Sequence, residues 1–223
     1  MSAGPLDVEV WSDVACPFCY IGKRQLADAL ARFAHRDDVT VTWRSFQLNP
    51  DQRTDPTRHP EDYLTQERGL PLAQVRQMNA RVTAMGREVG IDLALEDAII
   101  ANTFRAHRAL HFAKSAGRQD QLKERLMRAY FSEGRNVDDL DTLVGLGAEV
   151  GLDGEALRAA LAADDSSDPL GDAVRRDLFE ARQLGIGGVP FFVLDRKYGV
   201  SGALGSDALL AALTQAHDER EHS

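Results

Sequence analysis

Cysteine is almost missing from this chain: two of its 223 residues are cysteine, and they stand three positions apart. A small secreted scaffold stapled by disulfides needs more than one such pair, so that class is excluded. Long apolar runs are missing too. Nowhere do about 18 apolar residues follow one another, so no transmembrane helix is expected. The opening Met1-Ser-Ala-Gly-Pro-Leu-Asp-Val-Glu-Val10 carries neither the basic stretch nor the apolar stretch of a secretory signal, and the expected location is the cytoplasm. Positive charge is in deficit, with 26 basic against 35 acidic residues and a formal net charge of -9. That argues against a broad surface for nucleic acid or an anionic membrane, local basic patches aside. No internal repeat and no low-complexity tract interrupts the chain. What is present is apolar material, 43% hydrophobic residues beside 27% charged. This is enough for one compact domain, or a domain carrying a large insertion, as a monomer or a homodimer.

Leu6-Asp-Val-Glu-Val-Trp-Ser12 alternates apolar and polar residues and reads as a strand. After Asp13-Val-Ala-Cys-Pro-Phe-Cys19 a helical face begins with Ile21, Leu26, Leu30 and Phe33. Asp37 and Asp38 break it, and Val39 to Phe46 is a second β-rich run. Strand, helix and strand in this order usually form a parallel, right-handed crossover. Asn49 to Pro60 is a polar, proline-bearing boundary loop. From Glu61 to about Leu184 almost everything reads helical. Gln74–Val89 and Ala98–Ser115 are the longest candidates, with shorter ones near Gln121–Phe131, Leu140–Val150, Gly154–Ala162 and Gly171–Leu184. Gly185-Ile-Gly-Gly-Val-Pro190 is a glycine-rich turn, followed by an apolar strand, Phe191–Asp195, a short partner strand from Tyr198, and a closing helix over Ser206–Ala216 with Ser206 as N-cap. The order β-α-β, helices, β-β-α predicts an α/β, thioredoxin-like fold with a large inserted all-helical domain. Residues 1–50 and 184–223 would form the thioredoxin-like domain and 51–183 the helical insertion.

The chemistry concentrates at Cys16-Pro17-Phe18-Cys19, just after a strand and at the opening of a helix. Proline suits the first helical position, where its missing N–H is not needed. With Pro17 at N1, Cys16 is the N-cap, and its sulfur is expected to face the free amides of Phe18 and Cys19. Those amides and the helix dipole favour a thiolate. Cys19, one turn deeper, can close a disulfide while turned toward the protein. Cys16 is thus the expected exposed attacker and Cys19 the resolver: the thiolate attacks a substrate disulfide, a mixed disulfide forms, and Cys19 displaces it.

Other uses of these residues compete with that one. An inert buried pair fits poorly at a strand-to-helix junction. His107 and His111, four apart on a helix, could join the cysteines as zinc ligands. However, nearly ninety residues separate Cys19 from His107, and a helix-opening Cys-Pro-x-Cys is not a knuckle turn, so ordinary packing or surface histidines are the default. Asp13 could accept a proton from Cys19, although an acid before a helix is usually a cap or turn former. Val189-Pro190 reads by itself as a rigid trans turn at a strand edge. Within a thioredoxin-like fold the same bond is expected to be cis and packed against the cysteines, with Val189 offering its backbone to an extended substrate.

Ser12-Asp-Val-Ala-Cys-Pro-Phe-Cys-Tyr-Ile-Gly-Lys23, Phe46-Gln-Leu-Asn-Pro50, Asn102-Thr-Phe-Arg-Ala-His-Arg108 and Gly187-Gly-Val-Pro-Phe-Phe192 together resemble the DsbA family, in particular its cytoplasmic FrnE-like branch. The resemblance implies a redox-active Cys16/Cys19 pair and a cis-Pro190 beside it. It implies substrate contacts at Pro17, Phe18, Val189 and Pro190, with Asn102 and His107 lining the cleft above. From the residues alone, Asn102 could equally cap its own helix and His107 sit satisfied at the surface. One departure stands out: the dipeptide between the cysteines is Pro17-Phe18, without the histidine of periplasmic oxidants, so a less oxidising pair is expected and the net direction of exchange stays open. The expected partners are protein disulfides or small thiols. The dithiol carries the electrons, so no organic cofactor or metal is required, and glutathione could serve as co-substrate. The competing enzyme class is a glutathione-dependent isomerase or transferase, of the 2-hydroxychromene-2-carboxylate isomerase or kappa type, acting on a small aromatic substrate, with polyketide metabolism as the setting that the FrnE-like resemblance suggests; those enzymes typically carry serine at the first cysteine position. A non-catalytic binding module, zinc-holding or chaperone-like, is the third reading.

Overall fold

The computed structural model describes residues 4–162 and 168–221. The first residues of the N-terminal segment, residues 163–167 of the stretch expected to be helical, and the last two of the closing domain lie outside the described residues.

The first strand, β1 (Leu6–Ser12), lies at the centre of a four-stranded sheet ordered β2-β1-β3-β4. Strand β2 (Val39–Ser45) runs parallel to it, pairing Leu6 with Val39 through Ser12 with Ser45. Strand β3 (Phe191–Leu194) runs antiparallel on the other side, and β4 (Tyr198–Ser201) pairs antiparallel with β3. A central strand covered on both faces keeps apolar residues on both, which is why Val8, Val10 and Trp11 are all buried.

Helix α1 (Pro17–Arg32) connects β1 to β2, starting on Pro17 at N1 and ending at Phe33, whose amide bonds Leu30 O. Between β2 and β3 come α2 (Pro60–Arg68), α3 (Leu72–Glu88), α4 (Phe104–Ser115), α5 (Gln119–Ser132), α6 (Leu140–Glu149), α7 (Gly154–Ala162) and α8 (Pro169–Gln183), and α9 (Ser206–Glu221) closes the chain. Leu26 and Ala29 of α1, Phe33 at its C-cap, and Leu209, Leu213 and Ala216 of α9 bury one face of the sheet. Ala181 of α8 packs with Trp11, Ile186 and Val193 on the other. This is the thioredoxin-like α/β arrangement with a large helical insertion that the element order predicts. Among the described residues no helix is long and apolar enough to cross a membrane.

One expected element is shorter than its pattern. The helix read over 98–115 begins only at Phe104; ahead of it Ile100 bridges Asp55 in an antiparallel contact. Asn102 sets the boundary, because its Oδ1 accepts the Phe104 amide at 2.8 Å and so starts the helix two residues later.

The sheet is tied to the helices by Asp177 of α8, which is 2% exposed. Its carboxylate accepts the Ser45 amide at 2.8 Å and Arg44 Nη1 at 2.9 Å, and lies 2.9 Å from His111 Nε2 of α4. Its carbonyl accepts the Trp11 indole at 3.1 Å. Burial alone would raise the carboxyl, but His111, the Ser45 amide and Arg44 outweigh it and hold it below the ordinary carboxylate range. Asp177→Ala leaves Arg44 and the Ser45 amide without this partner, and the expected loss of stability is about 3 kcal/mol. Urea unfolding at neutral pH measures it, and a loss below about 1 kcal/mol contradicts the role assigned to this carboxylate.

Candidate active site

Strand β1 ends at Ser12 and turns through Asp13, Val14 and Ala15 into α1. Cys16 is the N-cap, with extended φ and ψ of -104° and 112°. Its carbonyl accepts the amides of Cys19 at 3.0 Å and Tyr20 at 3.3 Å. The sulfur makes no cap bond to the helix amides, which corrects the expected arrangement: the Cys19 amide is already taken by the Cys16 carbonyl. The neutral thiol is a donor, and it donates instead to Val189 O at 3.6 Å.

Both cysteines are free thiols and both are buried, Cys19 completely and Cys16 to 4% exposure. The attacker is therefore not exposed as expected. Both cysteines belong to the same buried cluster as Ala106, Leu126 and Phe131 of the inserted helices, with Val189 and Ala203 packed against it. Burial pushes the Cys19 thiol well above its usual value, the neighbouring Cys16 adds to the rise, and Lys123 and Ser12 pull against it. The Val189–Pro190 peptide is cis. Gly22 lets α1 approach this loop, since a Cβ there would lie 2.9 Å from Pro190 Cγ and 3.3 Å from Phe192 Cζ.

Beneath the thiols lies a group of buried charges. Asp13, 2% exposed, accepts the Leu48 amide at 2.8 Å, and its other oxygen lies 3.3 Å from His107 Nε2. Burial would raise this carboxyl, but bonds from His107, Leu48 and Thr103 hold it below its ordinary value. Burial drives His107 the other way, below its ordinary value despite Asp13. At pH 7 the contact is then a neutral imidazole donating to a carboxylate, not an ion pair. Lys123 of α5 has no exposure; its ammonium donates to Ser12 O at 3.2 Å and stands 5.8 Å from the centroid of the Trp43 ring. Burial pushes it down to about 8. A buried ammonium costs several kcal/mol, whereas one bond from a charged donor returns only about 1.5–3 kcal/mol.

The candidates divide accordingly. Pro17 and Phe18 lie between the two cysteines, the Val189 carbonyl accepts from Cys16 Sγ, and Pro190 packs close to Gly22 of α1; Phe18 and Leu48 are apolar side chains left 41% and 46% exposed. His107 is buried, and Asn102, only half-buried, spends its amide inside the protein. The Asn102 amide donates to Pro50 O and Gln52 O and accepts from Gln47 Nε2 and the Phe104 amide. Its two donors and its acceptor oxygen are all used inside the protein. His107 is 1% exposed and faces Asp13, its Nδ1 unpartnered. The zinc alternative lacks convergence: His111 faces Asp177 and Ser45 instead. Among the described residues, the one group bringing three potential ligand atoms within 4.8 Å is His35, Asp38 and His217. Those two imidazoles stack at 3.9 Å and 16°, so their lone pairs lie in near-parallel planes and do not converge on one ion. Lys123 was missed by sequence reasoning. Its signal is its place among Gln119, Leu122, Leu126, Met127 and Tyr130, a lysine inside the buried stripe of its helix.

The profile of the DSBA-like thioredoxin domain matches residues 7–214. The Bacillus subtilis protein YwbO, named as uncharacterized, is 29% identical over 96% of this chain and 98% of its own length. The crystal structure of a probable DsbA oxidoreductase, SCO1869 from Streptomyces coelicolor, superposes with a TM-score of 0.88 at 42% identity, covering 96% of this chain and 91% of that one. A 2-hydroxychromene-2-carboxylate isomerase superposes with a TM-score of 0.69 at 15% identity, over 97% of this chain and 98% of that one. This last likeness is one of fold alone.

Asp13 generates the pH prediction. Its carboxyl lies below the unfolded value of 3.8, so the stability it contributes is complete above about pH 4 and is lost as pH falls through the folded value. Asp13→Asn is expected to cost about 2 kcal/mol at pH 7, the cost shrinking toward pH 3. Urea unfolding of both proteins at the two pH values reads it; an equal difference at both would contradict the assignment.

Proposed function

This chain belongs to the DSBA-like thioredoxin domain family, and from that premise we propose that it is a thiol–disulfide oxidoreductase or isomerase in which Cys16 attacks and Cys19 resolves. The observation that carries the reading is the free thiol pair at the opening of α1, with the fully buried Cys19 one turn behind Cys16 and Val189 O 3.6 Å from the Cys16 sulfur. The Cys16 thiolate attacks one sulfur of a substrate disulfide and the first substrate thiol leaves. Cys19 then loses its proton and attacks Cys16 Sγ, and the second substrate thiol departs. The substrate disulfide gains two electrons and the dithiol becomes a disulfide; run backwards, the same steps deliver a disulfide. The electrons reside on the two sulfurs, so the reaction needs no organic cofactor.

The substrates on this reading are protein disulfides or small thiols, glutathione among them. Residues 1–50 and 184–223 would act as the redox domain, with the helices of 51–183 closing over it. A cytoplasmic, FrnE-like role suits a chain whose only two cysteines form one such pair. The slight exposure of Cys16 favours substrates slim enough to reach a sulfur that is 4% exposed, either small disulfides or an extended strand laid along Val189. That same confinement supports the second reading, a glutathione-dependent isomerase acting on a small aromatic substrate, whose fold is the same.

Cysteine substitutions separate the two. Cys16→Ser is expected to abolish insulin reduction and the reactivation of scrambled disulfides, and Cys19→Ser to accumulate mixed disulfides with substrate on Cys16, read by mass spectrometry. Full turnover by Cys19→Ser without trapped adducts would remove Cys19 from the reaction and favour glutathione chemistry.

A further inference from the structure

Lys123 is a fully buried cation with no acidic partner in contact among the described residues. Among the described residues it forms no ion pair within 4.0 Å, and its one hydrogen bond is to Ser12 O. Lys23, the other buried lysine nearby, differs in being paired with Asp120 at 2.9 Å and Glu124 at 3.4 Å. The groups facing Lys123 come from every element around it: Ser12 and Asp13 from the end of β1, Cys16, Cys19 and Lys23 from α1, Trp43 from β2 and His107 from α4. Ser12 links the two ends of the cluster. Its carbonyl holds the Lys123 ammonium, and its hydroxyl sits against the Cys19 side chain with no other partner among the described residues.

Cys19 has a difficulty that this arrangement answers. To resolve a mixed disulfide it must become a thiolate in a place with no water contact, where burial disfavours the charge. The α1 amides do not relieve it, because the Cys19 amide is bonded to the Cys16 carbonyl. A positive charge held nearby in the same low-dielectric interior acts more strongly than any surface charge. We propose that Lys123, a residue of the inserted helices, is the cation that carries the Cys19 thiolate through the resolving step. Asp13 keeps the cluster near neutrality while Cys19 is protonated. As the Cys19 S–H bond breaks, the new thiolate takes over as the counter-charge of Lys123. It attacks Cys16 Sγ, the mixed S–S bond breaks, and the departing substrate thiolate takes up, through solvent, the proton that Cys19 lost. Lys123 is a positioning residue in this scheme, since it makes no bond to the reacting atoms.

The inference rests on the dithiol reading, and one experiment keeps the two apart. Reduced protein mixed with 5,5′-dithiobis(2-nitrobenzoate) releases one nitrothiobenzoate when Cys16 attacks and a second when Cys19 resolves, so stopped-flow absorbance reads the steps separately. In Lys123→Met the second phase is expected to slow at least about tenfold at neutral pH, with its pH midpoint displaced upward by about one unit. The first phase is expected to change by less than about threefold, since Lys123 acts more strongly on Cys19 than on Cys16. Lys123→Arg should restore part of the second phase. Thermal unfolding of Lys123→Met should move upward, because an unpaired buried charge has been removed; a merely structural lysine would give the opposite shift. An unchanged second phase and midpoint in Lys123→Met overturn the role of Lys123 alone. Absence of any second phase in the unaltered protein overturns the dithiol reading, and this inference with it. Should Lys123→Met fail to fold, the Cys16→Ser protein supplies the measurement: the Lys123 side-chain nitrogen resonance is expected to shift as Cys19 ionises, and a Lys123 resonance indifferent to that ionisation overturns the proposal.

Discussion

A single buried carboxylate pins the turn on which everything else depends. Asp13 stands between β1 and α1 and accepts the amide of Leu48 from the segment after β2, while His107 approaches it from α4. Three separate stretches of chain thereby converge on the residues that precede Cys16. A carboxylate without water contact is tolerated only when donors surround it, and here they do so strongly enough that the group stays ionised. Its charge in turn makes a buried ammonium at Lys123 tolerable, and that ammonium faces Cys19. The chemistry of the sulfur pair is therefore set by groups from beyond the four-residue segment that holds it.

The inserted helices are part of the site and not an ornament on the sheet. The apolar cluster that buries Cys16 and Cys19 is continuous with the helical core and separate from the two clusters on the faces of the sheet. Asp177 performs on the sheet side the task that Asp13 performs at the turn, joining β1, β2 and α4 to α8. With both anchors engaged, Cys16 has little exposure and its sulfur rests against the Val189 carbonyl. The fold is shared with a 2-hydroxychromene-2-carboxylate isomerase, and a fold by itself does not fix the chemistry done on it.

Much of this could be read from residue order. Strand β1 has the bounds that its alternation predicts, β2 and the two closing strands lie where the β-branched and aromatic residues cluster, and Pro17 begins α1 as a proline at a first helical position should. The misreadings share a cause. Ala98 to Thr103 is apolar enough to continue a helix, but the Asn102 side chain competes for the Phe104 amide, and periodicity does not register that competition. Asn102 and His107 look like cleft residues in a motif, yet one has its whole amide satisfied by neighbouring loop carbonyls, a side chain and an amide, and the other is turned onto Asp13. Lys123 was visible only as an oddity, a lysine within an apolar stripe.

Sequence by itself determined the local chemistry: which residues open α1, that two thiols sit one helical turn apart, and that strands flank a long helical stretch. These follow from interactions between near neighbours in the chain, such as the proline ring, the N-cap geometry and hydrophobic periodicity. Tertiary structure alone decided how far the attacking sulfur is covered, which buried charges surround Cys19, and that the Cys16 thiol turns to Val189 O and not to its own helix. Those outcomes depend on desolvation and on groups brought from residues up to 173 positions away, and no spacing rule along the chain encodes how deeply a group will be removed from water.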